Sequence, residues 1–78
     1  MKRNISTVTV FDKPHDFPDS FVARRFYGTF ATSDYVLSPT LDGARDWART
    51  TIEKWNQSQG VALVASEFDH PSVVETWI

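Results

Sequence analysis

A tetrapeptide that occurs twice, Phe-Asp-x-Pro, constrains the fold of this 78-residue chain more than any other feature. It stands at residues 11–14 and again at residues 68–71, and each copy closes an apolar, β-branched run. Aspartate hydrogen-bonds the nearby backbone and proline lacks the N–H that would continue a ladder, so this combination is typical of a turn that ends a strand. We therefore interpret the recurrence as the same type of turn formed at two places in the chain, and not as an internal duplication.

The strands are predicted from the alternation of apolar and polar side chains along the sequence. Val8 and Val10 share one face of residues 5–11 and threonines occupy the other, which indicates a strand with one buried side. Similar patterns predict further strands at residues 21–27, around 34–37, at 61–68 and at 73–78. The third of the five has the weakest pattern. The short polar segment between the last two strands predicts an antiparallel hairpin.

One amphipathic helix is predicted over residues 41–57, with Thr40 as its N-cap. Its apolar stripe has spacings of three and four and consists of Leu41, Ala44, Ala48, Ile52 and Trp55, with Trp47 beside it. Gly43 costs a helix about 1 kcal/mol relative to alanine, which indicates close backbone packing in the first turn. The charged face is expected to form the ion pairs Asp42–Arg45, Asp46–Arg49 and Arg49–Glu53.

These elements predict an α+β fold in a single domain spanning residues 1–78. We expect a four- or five-stranded, mainly antiparallel sheet with one helix packed on one face, in the order β-β-β-α-β-β. A chain this short supports one core only, and its 41% hydrophobic and 14% aromatic residues are a sufficient supply for it.

Several kinds of chemistry have no support in the sequence. The chain has no cysteine and only three glycines, so disulfides, thiolate metal ligands and glycine-rich phosphate loops are ruled out. The acidic and imidazole side chains at the two turns (Asp12, His15, Asp16, Asp69 and His70) do not have the spacing of a known metal-ligand motif. We therefore predict no enzyme activity, no cofactor and no metal site.

Charge and hydropathy bear on the partners. The net charge of −2 provides no general attraction to nucleic acid, and no apolar run approaches the roughly 20 residues that cross a bilayer. We expect a cytoplasmic protein with no membrane contact. The alternative is a nucleic-acid-associated accessory protein that uses Arg24, Arg25, Arg45 and Arg49. Because neighbouring strand residues point to opposite faces, Arg24 and Arg25 are not expected to form one patch.

A single helix is too narrow to cover every aromatic side chain of this sequence. Apolar surface left exposed in this way usually marks a partner site or a contact between two copies of a chain. The alternative is that the loops at residues 12–20 and 28–38 fold over this surface. A protein partner, with a homodimer as the alternative, is therefore the expected kind of interaction. The residues predicted to contact a protein partner are Asp12, Asp16, Phe17, Asp19, Phe30, Tyr35, Glu67, Asp69 and Trp77.

Two segments resemble a group of small, uncharacterised phage and prophage proteins. Residues 13–25, KPHDFPDSFVARR, are similar to their P-x-D-[FY]-P-x-x-F-V-x-R stretch, and residues 69–78, DHPSVVETWI, are similar to their closing segment. The resemblance implies a phage origin and brings no activity with it. Small phage proteins without catalytic chemistry commonly bind a host protein, and inhibitors of host defence, including anti-CRISPR proteins, are one such group. The expected function is therefore steric occupation of a host protein in the host cytoplasm.

Overall fold

The computed structural model of the chain describes residues 5–66 and 69–78. Within them lie five strands and one helix: β1 (Ser6–Asp12), β2 (Phe21–Tyr27), β3 (Phe30–Ser38), α1 (Leu41–Asn56), β4 (Ala62–Val64) and β5 (Val73–Trp77). The strands form one antiparallel sheet in the order β3-β2-β1-β5-β4. The predicted α+β class and the order β-β-β-α-β-β are confirmed.

Strand β1 is the centre of the sheet. Val8 pairs with Arg25 of β2 on one side and with Trp77 of β5 on the other. Val8 and Val10 are completely buried, whereas the threonines between them are half-buried. The predicted strand with one buried side is confirmed, because β-branched residues at every second position meet α1 there.

Strand β3 differs from the prediction. The sequence indicated a short strand around residues 34–37, but β3 has nine residues and is the longest strand described. The register between β2 and β3 shifts between Arg24 and Phe26, so β3 carries extra residues at this point. The Thr32 hydroxyl donates to the Arg25 carbonyl at 2.7 Å and stabilises the irregularity. The burial of β3 still alternates from residue to residue, but each of its faces carries both apolar and polar side chains, so its full length could not be recognised in the sequence.

Strand β4 is shorter than predicted. It covers three exposed residues, Ala62–Val64, instead of residues 61–68, and residues 67 and 68 lie outside the described part of the chain. The antiparallel β4–β5 hairpin is confirmed. Asp69 binds the local backbone as predicted, since its carboxylate accepts the Ser66 N–H at 2.9 Å.

The core forms where α1 packs on the sheet. Ala44, Ala48 and Ile52 of the helix are completely buried, together with Val8, Val10 and Ala23 of the sheet. Alanine at two of the three helical positions lets the helix approach the strands closely. The predicted stripe is confirmed at these positions, but Trp55 is wrong as a core residue, because 49% of it is exposed.

The ends of α1 follow local chemistry. Thr40 is the N-cap as predicted, and its hydroxyl accepts the Gly43 N–H at 3.1 Å. The helix ends at Asn56, and Gln57 adopts the left-handed conformation with φ of 53°. Close packing at Gly43 is also confirmed: an added Cβ would lie 2.3 Å from the Ser38 Oγ.

An ion pair on the flank of the helix joins α1 to β5. Arg45 donates to both carboxylate oxygens of Glu75, at 3.0 and 3.2 Å, and Glu75 is only 6% exposed. The Trp77 indole N–H donates to the same carboxylate at 2.6 Å. The predicted Asp42–Arg45 pair is therefore wrong, because Arg45 reaches across to the sheet.

The other predicted ion pairs of the helix lie on its exposed side. The Asp46–Arg49 pair is confirmed, and no Arg49–Glu53 pair is found within the described residues. The described helix, α1, has neither the length nor the hydropathy of a membrane-spanning segment.

The first prediction concerns Gly43. Alanine is the better helix former by about 1 kcal/mol, yet we expect Gly43→Ala to lower the free energy of unfolding by about 1–3 kcal/mol, because its Cβ overlaps the Ser38 hydroxyl. Urea denaturation measures the change. In a Ser38→Ala background the cost should shrink, and an equal cost in both backgrounds would show that the overlap is not its cause.

The second prediction concerns the Arg45–Glu75 pair. Glu75→Ala removes the acceptor of a charged hydrogen-bond set, and we expect a loss of about 1.5–3 kcal/mol in the free energy of unfolding. The matched control is Asp46→Ala, which removes the carboxylate of the exposed Asp46–Arg49 pair and should cost less than about 1 kcal/mol. Similar losses for the two variants would contradict a structural role for the Arg45–Glu75 pair.

Candidate functional site

The candidate site is the face of the sheet opposite α1, called here the open face. Strand register aligns Tyr35, Arg24, Thr9, Thr76 and Leu63 in one row across all five strands. Side chains that are paired across strands share a face, and Thr9 alternates with the buried Val8 and Val10, so this row lies on the side away from the helix. A neighbouring row contains Leu37, Val22, Phe11 and Val73.

Both outer strands of the open face carry accessible apolar side chains. Tyr35 is 46% exposed, Leu37 43% and Leu63 49%, and these residues lie on the two outer strands. The centre carries threonines and half-buried aromatic rings. The face therefore combines apolar patches with hydroxyl groups, as protein-contacting surfaces commonly do.

Loop 12–20 covers one corner of the open face. The Phe17 ring lies 6.2 Å from the Tyr35 ring, measured between centroids. Turn hydrogen bonds hold the loop: the Phe17 N–H donates to the Pro14 carbonyl at 2.9 Å and the Ser20 N–H to the Phe17 carbonyl at 3.2 Å. Phe17 thereby anchors the loop to the sheet.

A shallow depression lies beside this anchor. Its volume is about 160 Å³, and its lining consists of Phe11, Pro14, Asp16, Phe17, Val22, Arg24 and Phe26. Small-molecule sites generally start near 300 Å³ and enclose most of their ligand. The depression is too small for such a ligand, and it is suited to receive one side chain of a partner.

Arg24 contributes a positive charge to the open face. Its Nε donates to the Thr32 carbonyl at 2.7 Å, and its guanidinium lies 5.9 Å from the centre of the Tyr35 ring. Among residues 5–66 and 69–78, no carboxylate forms an ion pair with it. The guanidinium is held in position and keeps donors for an external acceptor.

The other three arginines of the predicted nucleic-acid patch are engaged elsewhere. Arg25 lies on the helix side, stacked 4.0 Å from the Trp55 ring centre and paired with Asp34 at 3.2 Å. Arg45 binds Glu75, and Arg49 binds Asp46. The structure therefore does not bring the four side chains together, and Arg24 and Arg25 point to opposite faces as expected.

The predicted protein-binding residues fall into separate groups. Asp16, Phe17 and Tyr35 come together on the open face. Asp12, Asp19 and Asp69 are exposed at the end of the sheet that carries loop 12–20 and the turn before β5.

Three predicted residues do not join these groups. Phe30 is 76% exposed at the opposite end of the sheet. Trp77 is half-buried on the helix side, where its indole N–H donates a hydrogen bond to the Glu75 carboxylate. Glu67 lies outside the described residues.

Sequence reasoning missed several residues of the open face: Phe11, Val22, Phe26, Leu37 and Leu63. In β2, every second residue lies on the same face, so Val22, Arg24 and Phe26 share one face. Which face the helix would cover was not readable from that pattern, because both faces of β2 carry apolar and basic side chains.

No candidate metal site is found in the described part of the chain, because no three His, Asp or Glu side chains are grouped there to hold an ion. His70 instead makes a local contact, with its Nδ1 2.8 Å from the Ser72 hydroxyl.

Comparisons of the chain with protein-family models, curated proteins and solved structures found no match.

The third prediction tests the anchor in loop 12–20. Phe17→Ala removes the ring that packs near Tyr35, and we expect faster hydrogen exchange at the amides of residues 17 and 20, because the loop loses its tie to the sheet. Exchange at Ile52 in the helix should not change. The control is Asp19→Ala in the same loop, and equal acceleration by both variants would mean that Phe17 is not the anchor.

Proposed function

We propose that this chain is a small protein-binding module whose interface is the open face together with loop 12–20. The observation that carries the proposal is the accessible apolar surface at Tyr35, Leu37 and Leu63, on a sheet whose other side is packed against α1. Exposure of such side chains on a small domain is costly in water, and contact with another protein removes that cost. The proposed activity is binding, and catalysis has no part in it.

Charge suggests the chemistry of the partner. Asp12, Asp16 and Asp19 line loop 12–20, and Asp69 stands in the adjacent turn, where the Asp12 N–H donates to the Ser72 carbonyl at 2.7 Å. This end of the molecule is therefore predominantly acidic. A partner with an apolar centre and a basic border would match both parts of the surface, and charge complementarity of this kind also increases the rate of association.

The resemblance to small phage and prophage proteins makes a bacterial host protein the partner that we propose. That resemblance remains a prediction. Binding over the open face would occupy a functional surface of the host protein and inhibit it sterically. Components of host defence, including the CRISPR complexes that anti-CRISPR proteins block, are the proposed class of target.

The fourth prediction is the loss of partner binding when the open face is made polar. Wild-type protein with an affinity tag should recover one host protein in stoichiometric amount from a lysate of the bacterial host. Leu37→Asp places a charge in the proposed apolar contact, and we expect it to reduce recovery at least tenfold, which corresponds to about 1.4 kcal/mol. Quantitative mass spectrometry measures the recovery.

The matched control is Lys54→Asp, which introduces the same residue at an exposed position of the helix and should leave recovery unchanged. Circular dichroism is used to check that both variants are folded. Equal recovery with Leu37→Asp and wild type would exclude the open face as the interface. Absence of any stoichiometric partner at near-native concentration would contradict the proposed function itself.

A further inference from the structure

Strand β4 is an edge of the sheet that no element among residues 5–66 and 69–78 protects. Residues 61–65, Val-Ala-Leu-Val-Ala, contain no charge and no proline, and Val64 is 90% exposed. The helix packs against β1, β2, β3 and β5 and makes no contact with β4. Natural sheet edges are usually protected by charged residues, proline or a covering element, because their free backbone groups pair readily with another strand.

The hydrogen bonds between β4 and β5 determine which backbone groups are free. Val61 and Ile78 exchange hydrogen bonds at 3.0 and 2.9 Å, and the Ala65 N–H donates to the Val74 carbonyl at 3.2 Å. Backbone groups alternate in direction along a strand. The N–H and C=O groups of Ala62 and Val64 therefore point away from β5 and toward solvent.

The opposite edge of the sheet does not have this character. Strand β3 carries Asp34 in its middle, and Pro39 follows its end. Antiparallel pairing of two β3 edges about their centre would place Asp34 carboxylates near each other, which is unfavourable. Between two β4 edges no like charges meet, so a second copy of this chain is the partner that fits this edge.

We propose that two copies of the chain pair through β4, antiparallel and about a two-fold axis at Leu63. In this register Ala62 of each copy pairs with Val64 of the other, and four backbone hydrogen bonds use all the outward groups of the two strands. The contact is isologous and closes at two copies. It joins two five-stranded sheets into one of ten strands and makes their open faces continuous.

A neighbouring register is less favourable. An axis at Val64 would require the outward N–H of Ser66, and that N–H already donates to the Asp69 carboxylate at 2.9 Å. The axis at Leu63 confines the new hydrogen bonds to Ala62 and Val64. It also makes Leu63 face its own counterpart in a non-hydrogen-bonded pair, where Cα atoms lie about 4.5 Å apart.

The chain has no cysteine, so single cysteines can report this geometry. A Leu63→Cys variant would bring two Cα atoms into the range of about 4.4–6.8 Å that a disulfide spans. A Val61→Cys variant is the matched control, because Val61 is also an exposed aliphatic residue near this edge but lies two residues from the axis in each copy. Its two Cα atoms would be about 13 Å apart, at about 3.3 Å per residue.

The experiment follows the purified full chain from micromolar to millimolar concentration by sedimentation. We expect its mass to rise with concentration from 8.9 kDa toward twice that value. Under mild oxidation, the Leu63→Cys variant should form covalent dimers at least tenfold faster than the Val61→Cys variant. Val64→Pro, which removes one outward N–H, should keep the protein monomeric, whereas Val64→Thr should preserve the association.

A wild-type chain that stays monomeric throughout would overturn the proposal, and so would equal cross-linking of the two cysteine variants. Association that persists in a folded Val64→Pro variant would overturn it as well. These results are independent of the proposed function: Leu37→Asp should leave the self-association intact, whereas loss of the dimer through Val64→Pro leaves the open face of the monomer unchanged.

Discussion

The structure depends on the contact between two alanines of one helix and two valines of one strand. Ala44 and Ala48 are completely buried against Val8 and Val10, and their small size lets the helix lie close to the centre of the sheet. A single helix positioned there covers only part of one face. The open face and the bare β4 edge both follow from this placement, because the described chain offers no second layer to cover them.

Polar networks on the two flanks of the helix stabilise this arrangement. On one flank, Arg45 links the helix to Glu75 of β5. On the other flank, Arg25 of β2 stacks on Trp55 and pairs with Asp34. Both networks join residues that are far apart in the chain, and both use the long reach and fixed donor geometry of a guanidinium. Arginines that could have suggested a nucleic-acid surface therefore serve the fold.

The surfaces left over have different properties. The open face is broad, with apolar and hydroxyl side chains, a cation that the described residues hold in position at Arg24, and an acidic loop at its border. The β4 edge is narrow and uncharged, and it offers backbone hydrogen bonds more than side-chain contacts. A broad mixed surface is suited to selective recognition of another protein, whereas a narrow uncharged edge is suited to pairing with an identical strand.

The sequence by itself determined the features that depend on neighbouring residues: the period-two burial of β1, the Thr40 cap, the turn at Asp69, and therefore the fold class and the order of elements along the chain. Part of the candidate site was also predictable, because Phe17 stands out as an apolar residue in a polar loop. Only the tertiary structure decided the bulge in β3, the partner of Arg45 thirty residues away, and which face of the sheet stays open. Local propensities are encoded in adjacent side chains, whereas register shifts and long-range pairs depend on where the helix finally packs, and no short sequence pattern records that.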